Sequence, residues 1–350
     1  MSTDCSLPTA AQALHAEPRA FGLLALQGAD AMDLLQRLGS GDMRPLAAPH
    51  AVGQTLLLTN QGKLVDWLWV LNLPPALPPA VYLVTSPGRQ DTVRLWLEQF
   101  IIMEDVEVRD CTSDLCGLLL QGAGAQQALG LETPPAALGD AAAAGLSQLP
   151  ATQTAAATVE TKLPACETAT AGLGGAWFKD PAGVAQQWVG IVPQAHAQGA
   201  TASLRTAGAT PRTPEQLELQ RIRAGIPGHL AEFATHAPPL ELRLKRHAIA
   251  WNKGCYIGQE VVSRLDSYDK VARLLMGFTL PGAHSLQAAQ RITNAAGQPL
   301  GRVTSLTWDA AADLSVGLCL VKRQAAVPGP ALLQAGEVQL AVELEDRPFF

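Results

Sequence analysis

The stretch GLLALQGADAMDLLQRL, residues 22–38, reads as an apolar strand, a turn at Gln27-Gly28-Ala29 and a helix over 29–38 with an Ala/Leu pattern. A second stretch, GLLLQGAGAQQALGL at 117–131, has the same order, with Gln121-Gly122-Ala123 aligned on the turn. Two copies of strand, glycine turn and helix predict an α+β fold of two related halves, about 17–115 and 116–250. Chance similarity between short apolar segments is the competing account.

Between the copies, GQTLLLTNQGKLVDWLWVLNL predicts a hairpin: strand 54–59, turn Asn60-Gln61-Gly62, strand 63–71. Period-two alternation puts Leu64, Asp66 and Leu68 on one face and Val65, Trp67 and Trp69 on the other. The tryptophan face suits the core, so Asp66 is expected either at a solvated edge or facing an internal opening. AVYLVTS is another strand, RQDTVRLWLEQFI an amphipathic helix with Val93, Leu97 and Ile101 in register, and VEVRD closes the first half. Residues 131–175 are rich in Ala, Thr, Pro and Gly and read as a short helix and long loops. WFKD and QQWVGIV predict a strand pair around Pro181-Ala182-Gly183. TPEQLELQRIRAGIP is a helix capped by Thr213, with Pro214 in its first turn and Gly225 ending it before Pro227. After a segment at 251–269, residues 270–350 break into short alternating runs bounded by Gly, Asn and Pro. That spacing predicts a small C-terminal β-barrel domain.

The chain of 350 residues is 48% hydrophobic and 16% charged, ample for a large core and unlike a disordered protein. Net charge is −6, which argues against a dedicated nucleic-acid binder. No apolar run suits a signal peptide or a spanning helix, and six scattered cysteines make no disulfide framework. A cytoplasmic home is expected.

The polar, glycine-marked stretch WNKGCYIGQEVVSRL, residues 251–265, carries the chemistry. Gly254 and Gly258 bracket Cys255 and imply left-handed backbone or the close approach of another group. Lys253 is placed to favour a thiolate if its ammonium points inward. Gln259 and Glu260 supply polar groups that a partly buried turn needs. Cys255 reads either as a functional thiol or as a small residue of a structural turn. The other cysteines and the seven histidines show no metal-ligand spacing, so no metal is expected. Arg221, Arg223, Arg243, Lys245, Arg246 and Lys253 crowd one part of an acidic chain. They are either solvated or convergent on a mouth for a small anion.

KGCYIGQE resembles the signature of the YgfZ family, folate-binding relatives of the glycine-cleavage T-protein (aminomethyltransferase). The resemblance extends through LLALQGADAMDLLQRLGSGDM, LLLTNQGKLVDWLWVL, QRIRAGIP and PPLELRLKRHAIAWNKGCYIGQEVVSR. It implies a T-protein-like core with a C-terminal barrel, tetrahydrofolate or a derivative as ligand, and a role in iron–sulfur cluster assembly or repair that indirectly supports tRNA modification. Iron–sulfur client or assembly proteins are the implied partners; neither a membrane nor direct nucleic-acid binding is expected. By this resemblance, Phe21, Asp66 and Glu241 are candidates for the pterin, and Arg221, Arg223 and Lys253 for the glutamate tail. Tyr256, Gln259 and Glu260 join them from the signature, with Cys255 as the working thiol. T-protein enzymes carry two successive aspartates where this chain has Asp66-Trp67, and Arg223 stands where they usually carry Glu. Those departures argue against aminomethyl transfer. A folate-dependent one-carbon transferase is the second reading, and a tRNA-binding module the third.

Overall fold

The computed structural model describes residues 13–47, 51–72, 80–129, 175–180, 186–246, 248–285 and 290–347. The loop region expected at 131–175 falls outside them except for Gly175, as does the turn expected at Pro181-Ala182-Gly183.

Strand β1 (His15–Arg19) leads into β2 (Gly22–Gln27) and helix α1 (Ala31–Leu38). The hairpin strands are β3 (Val52–Leu58) and β4 (Leu64–Asn72), followed by β5 (Val81–Thr85), helix α2 (Gln90–Glu98) and β6 (Glu107–Asp110). Val93 and Leu97 are the buried stripe of α2, as their spacing predicts. The second copy follows: β7 (Leu115–Gln121) and a single helical turn, α3 (Ala125–Ala128). After β8 (Ala176–Lys179) and β9 (Gln187–Pro193) come α4 (Ala197–Thr206) and α5 (Pro214–Arg223). Thr213 caps α5 through a reciprocal box with Gln216. Helix α6 (Gln259–Ser267) grows out of the signature, and six strands complete the chain: β10 (Arg273–Pro281), β11 (Arg291–Thr293), β12 (Pro299–Asp309), β13 (Leu314–Lys322), β14 (Gly329–Ala335) and β15 (Val338–Glu345).

The repeat is visible in the backbone. Gly28 and Gly122 have φ of +123° and +133°, a region that L side chains avoid. A Cβ at Gly28 would lie 1.9 Å from the carbonyl oxygen of Asp105, and one at Gly122 would lie 2.4 Å from that of Ala13. Asp105 shortly precedes β6 and Ala13 shortly precedes β1, so the two turns brace equivalent strands. The strand that precedes each copy of the repeat pairs with the strand of the other copy. β1 pairs antiparallel with β7 (His15 opposite Gln121, Arg19 opposite Gly117), and β6 pairs with β2 (Leu24 opposite Asp110). The sheets are therefore β1-β7-β9-β8 and β3-β4-β5-β2-β6.

By contacts the chain forms two compact units: Met1–Leu35, Met43–Gln54 and Leu68–Arg212; and Gln36–Asp42, Thr55–Trp67 and Thr213–Phe350. The first has a core of Leu118, Leu120, Trp177, Trp188, Val192 and Leu204 beneath α4. The second contains a closed barrel of order β10-β13-β12-β11-β14-β15. Alternating inward residues, among them Met276, Phe278, Leu280, Cys319 and Val321, fill it. The expected fold class, two related α+β halves and a small barrel, is the one observed. Among the described residues no helix is long and apolar enough to cross a membrane.

Candidate functional site

The second unit builds a dense knot around the signature. Ser40, flanked by Gly39 and Gly41, is fully buried. Its hydroxyl donates to the Ala248 carbonyl at 2.5 Å and accepts the Leu56 N–H at 3.0 Å, while its carbonyl accepts the Ala250 N–H at 2.9 Å. Lys253 completes the knot. Its ammonium points inward, as the sequence allowed, but onto backbone: it donates to the carbonyls of Gly39 and Gly41 at 2.6 Å each. It also lies 5.6 Å from the centre of the Tyr256 ring. Only 8% of Lys253 is exposed.

Of the two glycines, Gly258 has the predicted left-handed backbone, φ +81°, and caps α6. A Cβ there would come within 2.6 Å of the Thr59 carbonyl oxygen, so the hairpin turn and the start of α6 touch through a glycine. Gly62 in that turn packs on Val261 in the same way. Gly254 differs: nothing stands within 4 Å of a Cβ there, and its φ is not in the left-handed region. Cys255, next to it, is exposed and free. Tyr256 turns inward instead. Its phenol oxygen is buried and makes no hydrogen bond among the described residues, and burial pushes its pKa up to about 12. Gln259 and Glu260 occupy the first turn of α6, where Glu260 is exposed and pairs with Arg264 at 2.9 Å.

Asp66 lies in β4, whose positions 64–71 are all buried, and its own exposure is 0%. The solvated-edge reading of Asp66 is thereby excluded. Both faces of β4 are covered, which simple alternation does not foresee.

The basic group does not form an open mouth. Arg221 donates to Glu218 at 2.5 Å, to Glu232 at 3.2 Å, to the Ile226 carbonyl at 2.6 Å and to Ser305 at 2.7 Å. Arg223 pairs with Asp309, Arg243 with Asp346 and Lys245 with Asp266. Glu241, expected to face a pterin, is buried and held by Arg273 at 2.7 Å. Arg246 is exposed, and no ion pair of it is found among the described residues. Arg221 and Arg223 are thus engaged by acids, and Lys253 by backbone carbonyls, within the second unit. Ser40, Glu232 and Asp309 are the partners that sequence reasoning missed; only the Gly-Ser-Gly spelling of 39–41 gave any signal.

Phe21 falls in the first unit. Its ring meets Trp69 edge-on, with centroids 5.4 Å apart, and Trp69 in turn meets Phe178 at 6.1 Å. Among the described residues no group of three or more His, Cys, Asp or Glu is placed to hold a metal.

The aminomethyltransferase T of the glycine cleavage system from Bartonella henselae superposes with a TM-score of 0.71 at 17% identity, covering 97% of this chain and 87% of that one. The chain has the T-protein fold. In sequence, residues 10–157 match the GCVT N-terminal domain. A chloroplast protein of Arabidopsis thaliana named as a transferase is 24% identical over 88% of this chain; the chain spans only 65% of that relative's length. A Chlorobium phaeovibrioides aminomethyltransferase is 24% identical over 91% of this chain and 84% of its own length.

Proposed function

We propose that this T-protein-fold chain is a folate-binding accessory protein of the YgfZ type, serving assembly or repair of iron–sulfur clusters, with tetrahydrofolate or a derivative as ligand and Cys255 as its working thiol. The observation that carries the reading is the mounting of Cys255. The turn that bears it is bolted on both sides, by Lys253 to two carbonyls and by Gly258 to the hairpin, yet the thiol itself is exposed. A sulfur in a purely structural turn has no reason to stand outward on so rigid a base. The orphan phenol of Tyr256 and the buried carboxylate of Asp66 are groups that fit a polar ligand such as a pterin, which needs hydrogen-bond partners for its ring nitrogens. The protein's part is to bind and orient; the one-carbon or redox chemistry belongs to the ligand.

Cys255→Ala is expected to fold with stability within about 0.5 kcal/mol of the parent, since an exposed side chain is removed. It should nevertheless fail to restore cluster-enzyme activity in cells lacking the protein. Full rescue by the alanine variant would reduce the turn to a structural element. Asp66→Asn keeps the shape and removes the charge. Folate affinity should fall about tenfold, the effect of roughly 1.4 kcal/mol, in a fluorescence titration run beside a thermal melt. An unchanged affinity would remove Asp66 from the ligand's partners.

The likeness to aminomethyltransferases supports a second reading, a folate-dependent one-carbon transferase. Turnover of methylene- or formyl-tetrahydrofolate by the purified protein would establish it.

A further inference from the structure

We propose that Arg19 is an anion-receiving residue of the first unit, poised to hold a carboxylate of a small ligand beside the aromatic wall of Phe21 and Trp69. The guanidinium carbon of Arg19 lies 5.1 Å from the Phe21 ring centre and 5.7 Å from that of Trp69. A cation–π contact of this kind takes up none of the guanidinium's N–H donors. Those donors make no hydrogen bond among the described residues, and Arg19 is partly buried.

The neighbouring carboxylates act on Arg19 through space while they accept hydrogen bonds from other donors. Glu17 accepts from the Nε of Arg212 at 3.1 Å, from its terminal nitrogen at 2.5 Å and from its backbone N–H at 3.1 Å. Asp180 accepts from the side-chain amide of Gln187. Arg212 adds a second positive charge near Arg19. Burial, partly opposed by Asp180, pulls the Arg19 guanidinium below its ordinary pKa. A partly desolvated cation with no hydrogen-bonded acid among the described residues is costly to keep, and an incoming anion that bonds its donors relieves that cost.

The setting is built from the fold. Arg19 ends β1 opposite Gly117 of β7. A Cβ at Gly117 would strike the Phe21 ring at 2.3 Å, so the missing side chain is what lets that ring lie against the strand. Trp69 backs Phe21, and Phe178 backs Trp69. The shelf is therefore a cation edged by rings, which matches a ligand with a carboxylate close to an aromatic group. For the ligand's identity, and only for that, the inference rests on the folate reading: folate carries an aminobenzoyl ring joined to a dicarboxylate.

Three anions and one reagent test it. Phenylglyoxal modifies accessible guanidinium groups, and peptide mass spectrometry reads the rate at Arg19 in the wild-type protein. 5-Formyltetrahydrofolate and benzoate should both slow labelling of Arg19, and inorganic phosphate should do so much less. Arg19→Met should weaken 5-formyltetrahydrofolate binding by about 10- to 100-fold, the loss of one charge-assisted hydrogen-bonded contact, and Arg19→Lys should restore part of it. Unaltered labelling with both carboxylates, or wild-type folate affinity in Arg19→Met, would overturn the proposal. Equal protection by phosphate would overturn its carboxylate preference. Protection by benzoate without any folate binding would leave the site standing and bring down the folate reading instead. Should Arg19→Met not fold, the wild-type labelling decides.

Discussion

Arg221→Met should be among the most damaging single substitutions in the protein, lowering its stability by about 3–5 kcal/mol. Glu232 is the reason. Its exposure is 0%, and its carboxylate accepts from Arg221 at 3.2 Å, from Ser305 at 2.7 Å and from the Gly228 N–H at 2.6 Å. Methionine keeps most of the arginine's apolar stem, so the loss is mainly electrostatic: a buried anion is left without its cation. Arg221 also joins α5 to Ser305 of β12, so helix and barrel loosen together. Urea denaturation should show a lower midpoint for Arg221→Met. The double variant with Glu232→Gln should recover part of the loss, because the stranded charge is gone. If the single variant lost less than about 1 kcal/mol, the value of an exposed pair, the network would have to be open to water.

Lys253→Met should have the second largest effect, about 3–5 kcal/mol by the same measurement. Each of its two bonds joins a charged donor to a buried carbonyl, worth roughly 1.5–3 kcal/mol apiece. Methionine also leaves those carbonyls unsatisfied. The effect should reach Cys255, two residues on. With the bolt removed, the exchange protection of the amides around 253–258 should fall relative to that of the barrel. A variant whose protection is unchanged would show that Gly258 and Tyr256 hold the turn unaided. The contrast with Cys255→Ala is the useful part: neighbouring positions in one signature should separate cleanly into a residue that builds the turn and one that uses it.

Several elements were legible because their signal is local. The glycine turns at Gly28 and Gly122, the capped helix after Thr213, the hairpin and the short alternating runs of the barrel all declare themselves within a dozen residues. β1 did not. His15–Arg19 spells HAEPR, with no alternation and a proline, and it is extended because β7 supplies hydrogen bonds to it. The Ala/Thr-rich helix α4 is similarly weak in pattern and is stabilised by burying Ala197, Ala200 and Leu204. At the site, the positions of Lys253, Cys255 and Gly258 could be read from spacing. The state of the cations could not, because Asp309 and Asp346 lie far along the chain from Arg223 and Arg243. Composition counts charges, and only the fold pairs them.

The exchange of β1 and β6 bears on how the chain leaves the ribosome. β1 is made well before its partner β7, which emerges about a hundred residues later, roughly 5–20 s at usual synthesis rates. The last part of its seat, Thr210, which takes the Ala16 N–H on its carbonyl, is later still. Meanwhile β2 gains its edge partner β6 only after β5 and α2 have been made. Cutting the gene just before β6 would give two fragments, each carrying the strand that pairs in the other's sheet. Co-expressed, they have a route to complementation; expressed alone, each presents an unpaired leucine-rich edge and a natural template for aggregation.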